Sequence, residues 1–201
     1  GSKVMHEGDT LMGKIRLLVV GAGGHGRQVA EAAELSGMFE VAGFLDDSLP
    51  TDETVIGYPV LGQVSSAVTH RHVCDQAIVA IGDNSLRATL IQQLVAARIE
   101  IATVVHPKAF VSPRAQVAAG ATVMAGAVVG TEASIGMGAI VNCGAVVDHQ
   151  AKVMDYGHCG LNVCMAGGSV LGRGSWMKAG SSIGHGVVIP DGVTLQPGQA
   201  V

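Results

Sequence analysis

Aromatic side chains are scarce: three Phe, two Tyr and one Trp make up 3% of 201 residues. A core built on stacked rings is therefore excluded, whereas 29 glycines suit thin coils packed by small aliphatics. Lys and Arg form no run and the net charge is −4, so nothing points to nucleic acid or to an acidic membrane surface. No apolar stretch approaches the roughly 20 residues that a transmembrane helix requires, and a cytoplasmic protein is expected. The four cysteines, Cys74, Cys143, Cys159 and Cys164, contain no CxxC pair, which favours reduced thiols over disulfides or a zinc knuckle. Gly1-Ser2 reads as a cloning remnant, and residues 1–13 are set apart as a tag or disordered N-terminus.

What the chain has in abundance is a period of six. Every sixth residue from Val111 to Val201 is aliphatic, Met or Cys, at all sixteen positions. A helix repeats near 3.6 and a strand at 2, so a period of six means a corner every six residues, as in a parallel β-helix. Four residues after most of these apolar positions comes a small one, Ala115 through Ala151, Gly157, and later Ser169, Ser175 and Ser181. Between them, at the third offset, glycines such as Gly120, Gly144 and Gly168 suit a turn with positive φ.

The first half follows a different pattern. Ile15–Val20 is a short apolar strand that runs into Gly21-Ala-Gly-Gly-His-Gly26 and then a helical stretch from Arg27 to Ser36. Glycines in such a loop let backbone N–H groups approach a diphosphate, and the helix N-terminus adds partial positive charge. A second strand, Val41–Leu45, ends in Asp46-Asp47, about 25 residues past Gly21, where carboxylates meet a ribose or base. A third, Ala77–Ile81, ends in Gly82-Asp-Asn-Ser-Leu-Arg87 before a helix over 86–97. Only about 90 residues separate Lys14 from the first hexad, room for one mononucleotide half and not for a dinucleotide fold.

The V-x-x-G-A-x and I-G-x-G-A-x hexads resemble those of the left-handed β-helix acyltransferases, whose coils carry three hexads each. That resemblance implies the left hand and about five coils. Taken together, GAGGHG, AIGDN-x-x-R, Val105-His106-Pro107 and the VVDH hexad are similar to the hexapeptide-repeat sugar acyltransferases that acetylate nucleotide-linked amino sugars. Relatives in that family are assigned as sialic acid O-acetyltransferases. The implied organisation is a Rossmann-like α/β half domain holding the nucleotide sugar (14–105), followed by a left-handed parallel β-helix (106–201). The β-helix forms a homotrimer, and acetyl-CoA lies in a groove between neighbouring subunits.

The resemblance assigns the general base to His149. Independently, His149 lies two residues past the inward Val147, so its imidazole faces outward, and its usual pKa suits proton transfer at neutral pH. Relatives carry Glu or Asp at the next position, where this chain has Gln150. Asp148 or Asp155 then supplies the charge, or Gln150 fixes the imidazole tautomer by hydrogen bonding alone. His158 matches a histidine at the acetyl-CoA end of the groove. Gly167 matches a position whose N–H faces the thioester oxygen, or it is a turn glycine. Lys178 and Ala179 are expected along the CoA channel. Substrate contacts are expected from Gly21, Gly23, Gly24, His25, Gly26, Asp46, Asp47, Gly82, Asn84 and Arg87, with His25 either approaching sugar or phosphate or packing at the helix start.

The function implied is N-acetylation of a nucleotide-linked 4-amino-4,6-dideoxy sugar by acetyl-CoA, without a metal. O-acetylation of sialic acid and a non-catalytic sugar-nucleotide binder stand as alternatives. A zinc site of the γ-carbonic anhydrase kind would need His149, His158 and His185 to converge. His149 and His185 are two turns apart, about 9 to 10 Å at the strand spacing, too far for one zinc to take both from one chain at about 2.0 Å, which leaves only sharing between subunits. The chain also stops at Gln199-Ala-Val201, before a G-x-P-A segment that relatives carry, so either it is truncated or its CoA contacts are reduced. UDP, GDP and dTDP sugars are equally compatible with the glycine loop.

Overall fold

The computed structural model describes residues 13–201. The expected tag segment lies, Gly13 apart, outside the described residues. Strand β1 (Ile15–Val20) leads into helix α1 (Gly24–Leu35), followed by β2 (Phe39–Leu45), β3 (Thr54–Val55), β4 (Tyr58–Gly62), a 3-10 turn at Val64–His70, β5 (Gln76–Val79), α2 (Asn84–Ala96) and β6 (Glu100–Ile101). The sheet order is β3-β4-β2-β1-β5-β6, parallel except for the β3–β4 hairpin. Leu17, Leu18, Val19 and Val20 are all buried because apolar groups cover both faces of the sheet, which is why β1 reads as a continuous apolar run without alternation.

Both helices start earlier than the apolar periodicity indicates. Gly23 is the N-cap of α1, so the helix begins inside the glycine loop and turns Val29, Ala30, Ala32 and Ala33 onto the sheet. In α2 the Asp83 carboxylate accepts the Leu86 N–H at 2.7 Å, satisfying a first-turn donor and starting the helix at Asn84. These starts place Gly24, His25 and Asn84 on helix N-termini instead of in free loops.

From β7 (Val104–Val105) a two-residue strand recurs every six residues as far as Thr194–Leu195. The strands stack in register into three parallel sheets, the faces of a left-handed β-helix. One face carries β7, Thr122–Val123, Ile140–Val141, His158–Cys159, Trp176–Met177 and Thr194–Leu195. The second carries Val146–Val147, Cys164–Met165 and Ser182–Ile183, and the third Lys152–Val153 and its neighbours. The hexad residues line the interior, where Val141, Val147 and Leu171 have no exposed surface. Each such side chain contributes about 1.5–3 kcal/mol. A charge introduced at Val141 would break the column.

The small residues beside these columns are equally buried, and the serines there are satisfied: Ser175 Oγ donates to the Pro190 carbonyl at 2.6 Å and accepts the Val193 N–H at 2.9 Å. The corners need positive φ, which glycine takes at Gly168 and Gly186. Four corners do without it: Glu132, Gln150, Tyr156 and Asn162 have φ between 52° and 60°.

Candidate active site

A cavity of about 450 Å³ opens where the first unit meets the β-helix. His25 and Gly82 reach it from the sheet domain, and Asn142, His158, Gly160, Leu161, Trp176, Lys178, Ala179 and Pro197 from the β-helix. Five residues singled out in the sequence therefore meet in one place: His25, Gly82, His158, Lys178 and Ala179. Asn142 and Trp176 were not foreseen. Their only signal was position, since both lie on the corner or face that carries His158.

His158 and Trp176 occupy matching positions on successive coils, and their rings stack with centroids 4.8 Å apart and planes 9° apart. Lys178 Nζ lies 5.0 Å from the indole centre. Burial, then the nearby Arg87 charge, pushes the His158 pKa down to about 3. The same two causes bring His25 down to about 4. Both imidazoles are neutral at physiological pH, and His25 Nε2 and His158 Nδ1 are buried without a protein partner.

Arg87 and Asn84 depart from their expected roles. Arg87 is fully buried, and its guanidinium donates to the carbonyls of Gly138 (2.7 Å), Ile81 (2.9 Å), Gly82 (3.3 Å) and Tyr156 (2.9 Å) and to Asn84 Oδ1 (2.7 Å). Asn84 Nδ2 donates to the Gly174 carbonyl at 3.0 Å. The contacts to Gly138, Tyr156 and Gly174 lie 51 to 90 residues away in the chain, so both side chains clamp α2 to the β-helix, and every N–H of the Arg87 guanidinium is engaged. The two aspartates are likewise engaged. Asp46 accepts the N–H groups of Ala22 and Ser48, at 2.9 and 2.8 Å, and Asp47 accepts that of Val64 at 2.8 Å.

Within the glycine loop the glycines divide by role. A Cβ on Gly21 would lie 2.7 Å from the Ala80 carbonyl oxygen, and one on Gly26 would collide with the Gly21 carbonyl, so both serve close strand–helix packing. Gly23 and Gly24 are exposed with open space where a Cβ would stand, leaving them as the pair able to face a ligand.

His149 lies elsewhere, on the corner after Val146–Val147, about half exposed and outside the cavity. Its own N–H donates to Asp148 Oδ1 at 2.7 Å, and Asp148 Oδ2 stands 4.0 Å from Nε2. The imidazole lies against Gly167 on the next coil, and the ring of His185 follows, 6.4 Å away between centroids. The two rings lean together across the missing Gly167 side chain, closer than the strand spacing alone gives. No protein acceptor among the described residues takes the Gly167 N–H.

Gln150 does not orient His149. With φ at 58° its side chain is carried back along the corner, where Nε2 donates to Glu132 Oε2 at 3.0 Å. Asp155 is also remote: it accepts the Met137 N–H at 2.9 Å and faces Arg173 at 3.7 Å. Of the groups considered as electrostatic partners for the imidazole, the structure brings only Asp148 near. Among the described residues no three His, Cys, Asp or Glu side chains form a group able to hold a metal ion, and no helix is long and apolar enough to cross a membrane.

Comparison with known proteins places these features in context. Residues 16–94 match the family described as the PglD N-terminal domain. A histidine-to-asparagine mutant of perosamine N-acetyltransferase from Caulobacter crescentus, in complex with CoA and GDP-perosamine, is 31% identical with a TM-score of 0.88, over 94% of this chain and 89% of that one. PerB from Caulobacter crescentus in complex with CoA and GDP-perosamine is 32% identical, TM-score 0.87, over 94% and 89%. The acetyltransferase domain of PglB from Neisseria gonorrhoeae FA1090 in complex with acetyl coenzyme A is 31% identical, TM-score 0.75, over 90% and 96%. No curated protein sequence matches.

Proposed function

The chain belongs to the PglD-type hexapeptide-repeat sugar N-acetyltransferases, and we propose that it transfers the acetyl group of acetyl-CoA to the 4-amino group of a nucleotide-linked 4-amino-4,6-dideoxy sugar. One observation carries the reading: a single cavity is lined from one side by the glycine-loop domain, through His25 and Gly82, and from the other by the β-helix. A sugar nucleotide held by residues 14–105 and a thioester held by residues 106–201 would meet there. CoA and GDP-perosamine in the relatives' complexes agree with that pairing of ligands.

In this reading the amine nitrogen attacks the thioester carbonyl carbon and His149 takes the amine proton, an effect typically worth about 10²–10⁴-fold. The Gly167 N–H stabilises the developing oxyanion, typically about 10²–10³-fold in rate. The tetrahedral intermediate then collapses, the C–S bond breaks, and the CoA thiolate leaves and is protonated. His158, Lys178 and Ala179 hold the acetyl donor, and Gly23, Gly24 and His25 face the sugar nucleotide. No acyl-enzyme forms.

The same geometry supports a site shared between subunits of a homotrimer. His149 lies on the corner between the second and third faces, whereas the cavity opens at the face carrying His158, so one chain does not supply both to one substrate. Packing the His149 corner of one subunit against the cavity of the next completes the site, in a cytoplasmic enzyme. The test is thiol release from acetyl-CoA with UDP-, GDP- and dTDP-linked 4-amino sugars, in the native chain and in His149→Ala. Turnover with one nucleotide that disappears in the variant is expected. Turnover with free sialic acid and none with any sugar nucleotide would replace this reading with O-acetylation.

A further inference from the structure

Acetyl transfer to an amine leaves one more proton to dispose of than a single base holds. At neutral pH a sugar amine arrives as the ammonium, since aliphatic amines have ordinary pKa values of about 8 to 10. It gives up one proton to expose the nitrogen lone pair and a second as the C–N bond forms. When the C–S bond breaks, the CoA thiolate takes one of the two, and the other goes to solvent. His149 accepts one at a time, so it must discharge between these steps. A second imidazole stands where that discharge can occur.

His149, Gly167 and His185 hold the same corner of three successive coils. Coils two apart would keep the rings about 9 to 10 Å from each other at the strand spacing. The ring centroids of His149 and His185 are instead 6.4 Å apart, with planes tilted by 46°. Gly167, on the middle coil, has no side chain to part them. One solvent molecule making two hydrogen bonds of about 2.8 Å spans a gap of this size. His185 is exposed, so a proton that reaches it passes to water. The other titratable groups at this corner are Asp148, 4.0 Å from His149 Nε2, and Glu132 on the preceding coil, which is bound to Gln150. Carboxylates, with ordinary pKa values of about 4, carry no proton at neutral pH, whereas an imidazole both takes and releases one. We propose that His185 is a relay residue that takes the first amine proton from His149 and passes it to solvent, which frees His149 for the second. This rests on the reading of His149 as the base of amine acetylation.

The test follows turnover of the full chain with the sugar nucleotide it uses, from about pH 6 to about pH 9.5, in the native protein, His149→Ala, His185→Gln and His185→Ala. His185 is exposed, so neither of its variants removes core packing. In His185→Gln kcat should fall about tenfold at neutral pH, with both KM values within about twofold of native. The deficit should close as the pH rises and the amine arrives already neutral, because one proton then remains and the thiolate takes it. Free imidazole in the buffer should restore kcat in His185→Ala and leave the native rate unchanged. A native kcat in His185→Gln at neutral pH overturns the inference. So does a deficit that is equal at every pH or that imidazole does not repair, since either marks a packing role. Turnover that needs His149 and ignores His185 leaves the proposed reaction standing without the relay. A chain that acetylates only the hydroxyl of free sialic acid releases no net proton and overturns both.

Discussion

Gly167 is the seat of the His149 imidazole: a Cβ built there would lie 3.0 Å from Nδ1 and nearer still to Cε1 and Nε2. Gly167 is buried and its φ is not in the left-handed region, so an alanine is not strained by the backbone; it fails only by displacing the ring. Gly167→Ala is therefore expected to lower kcat by about 10²-fold, as misplaced catalytic groups do, with little change in melting temperature. A variant with native kcat would show that His149 does not act from this seat.

Gln150→Glu should destabilise. The substitution puts a second carboxylate where the Gln150 amide now donates to Glu132 at 3.0 Å, on an exposed corner. The expected loss is about 1 kcal/mol or less, or roughly 2–4 °C per kcal/mol in a domain of this size. Glu132→Gln in the same chain should restore the native value. Calorimetry showing no loss in the single variant, or no recovery in the double, would contradict the pairing.

Trp176 is the single tryptophan and lines the cavity, stacked on His158 and beneath Lys178. Titration with acetyl-CoA should change the intrinsic fluorescence with saturation, and Lys178→Ala should weaken the binding by a few fold. A flat titration in a protein that still turns over would place the acetyl donor outside this cavity.

Acid should unfold the protein through its two buried imidazoles. Above pH 6.5 both are neutral, folded or unfolded; below it the unfolded chain takes up protons that the folded chain refuses until about pH 4 for His25 and about pH 3 for His158. Stability is thus lost as the pH falls through this window, by up to about 1.4 kcal/mol per pH unit for each ring. Urea unfolding of the native protein and of His158→Gln at pH 7 and pH 5 should show a shallower pH dependence in the variant. Equal slopes would mean that His158 is not held neutral.

The period of six was enough to place every strand of the β-helix from Val111 onward, its inward column and its glycine corners, because each coil repeats the same local geometry. The strand, glycine loop and helix at Ile15–Leu35 were legible for the same local reason, although the helix began three residues earlier than its apolar face indicated. Only the folded chain decided which polar residues are free. Asp46, Asp47, Asn84 and Arg87 sit in motifs that suggest ligand contacts, yet each also bonds protein backbone, and the Arg87 guanidinium has every N–H engaged. Gln150 follows His149 in sequence but turns to Glu132, one coil away, because a left-handed φ redirects its side chain. The meeting of His25 with His158 and Trp176 is likewise tertiary, set by α2 docking on the β-helix. Repeats are written in near-neighbour spacing, whereas a hydrogen-bond partner is chosen by three-dimensional distance, and that distance exists only once the two units have packed.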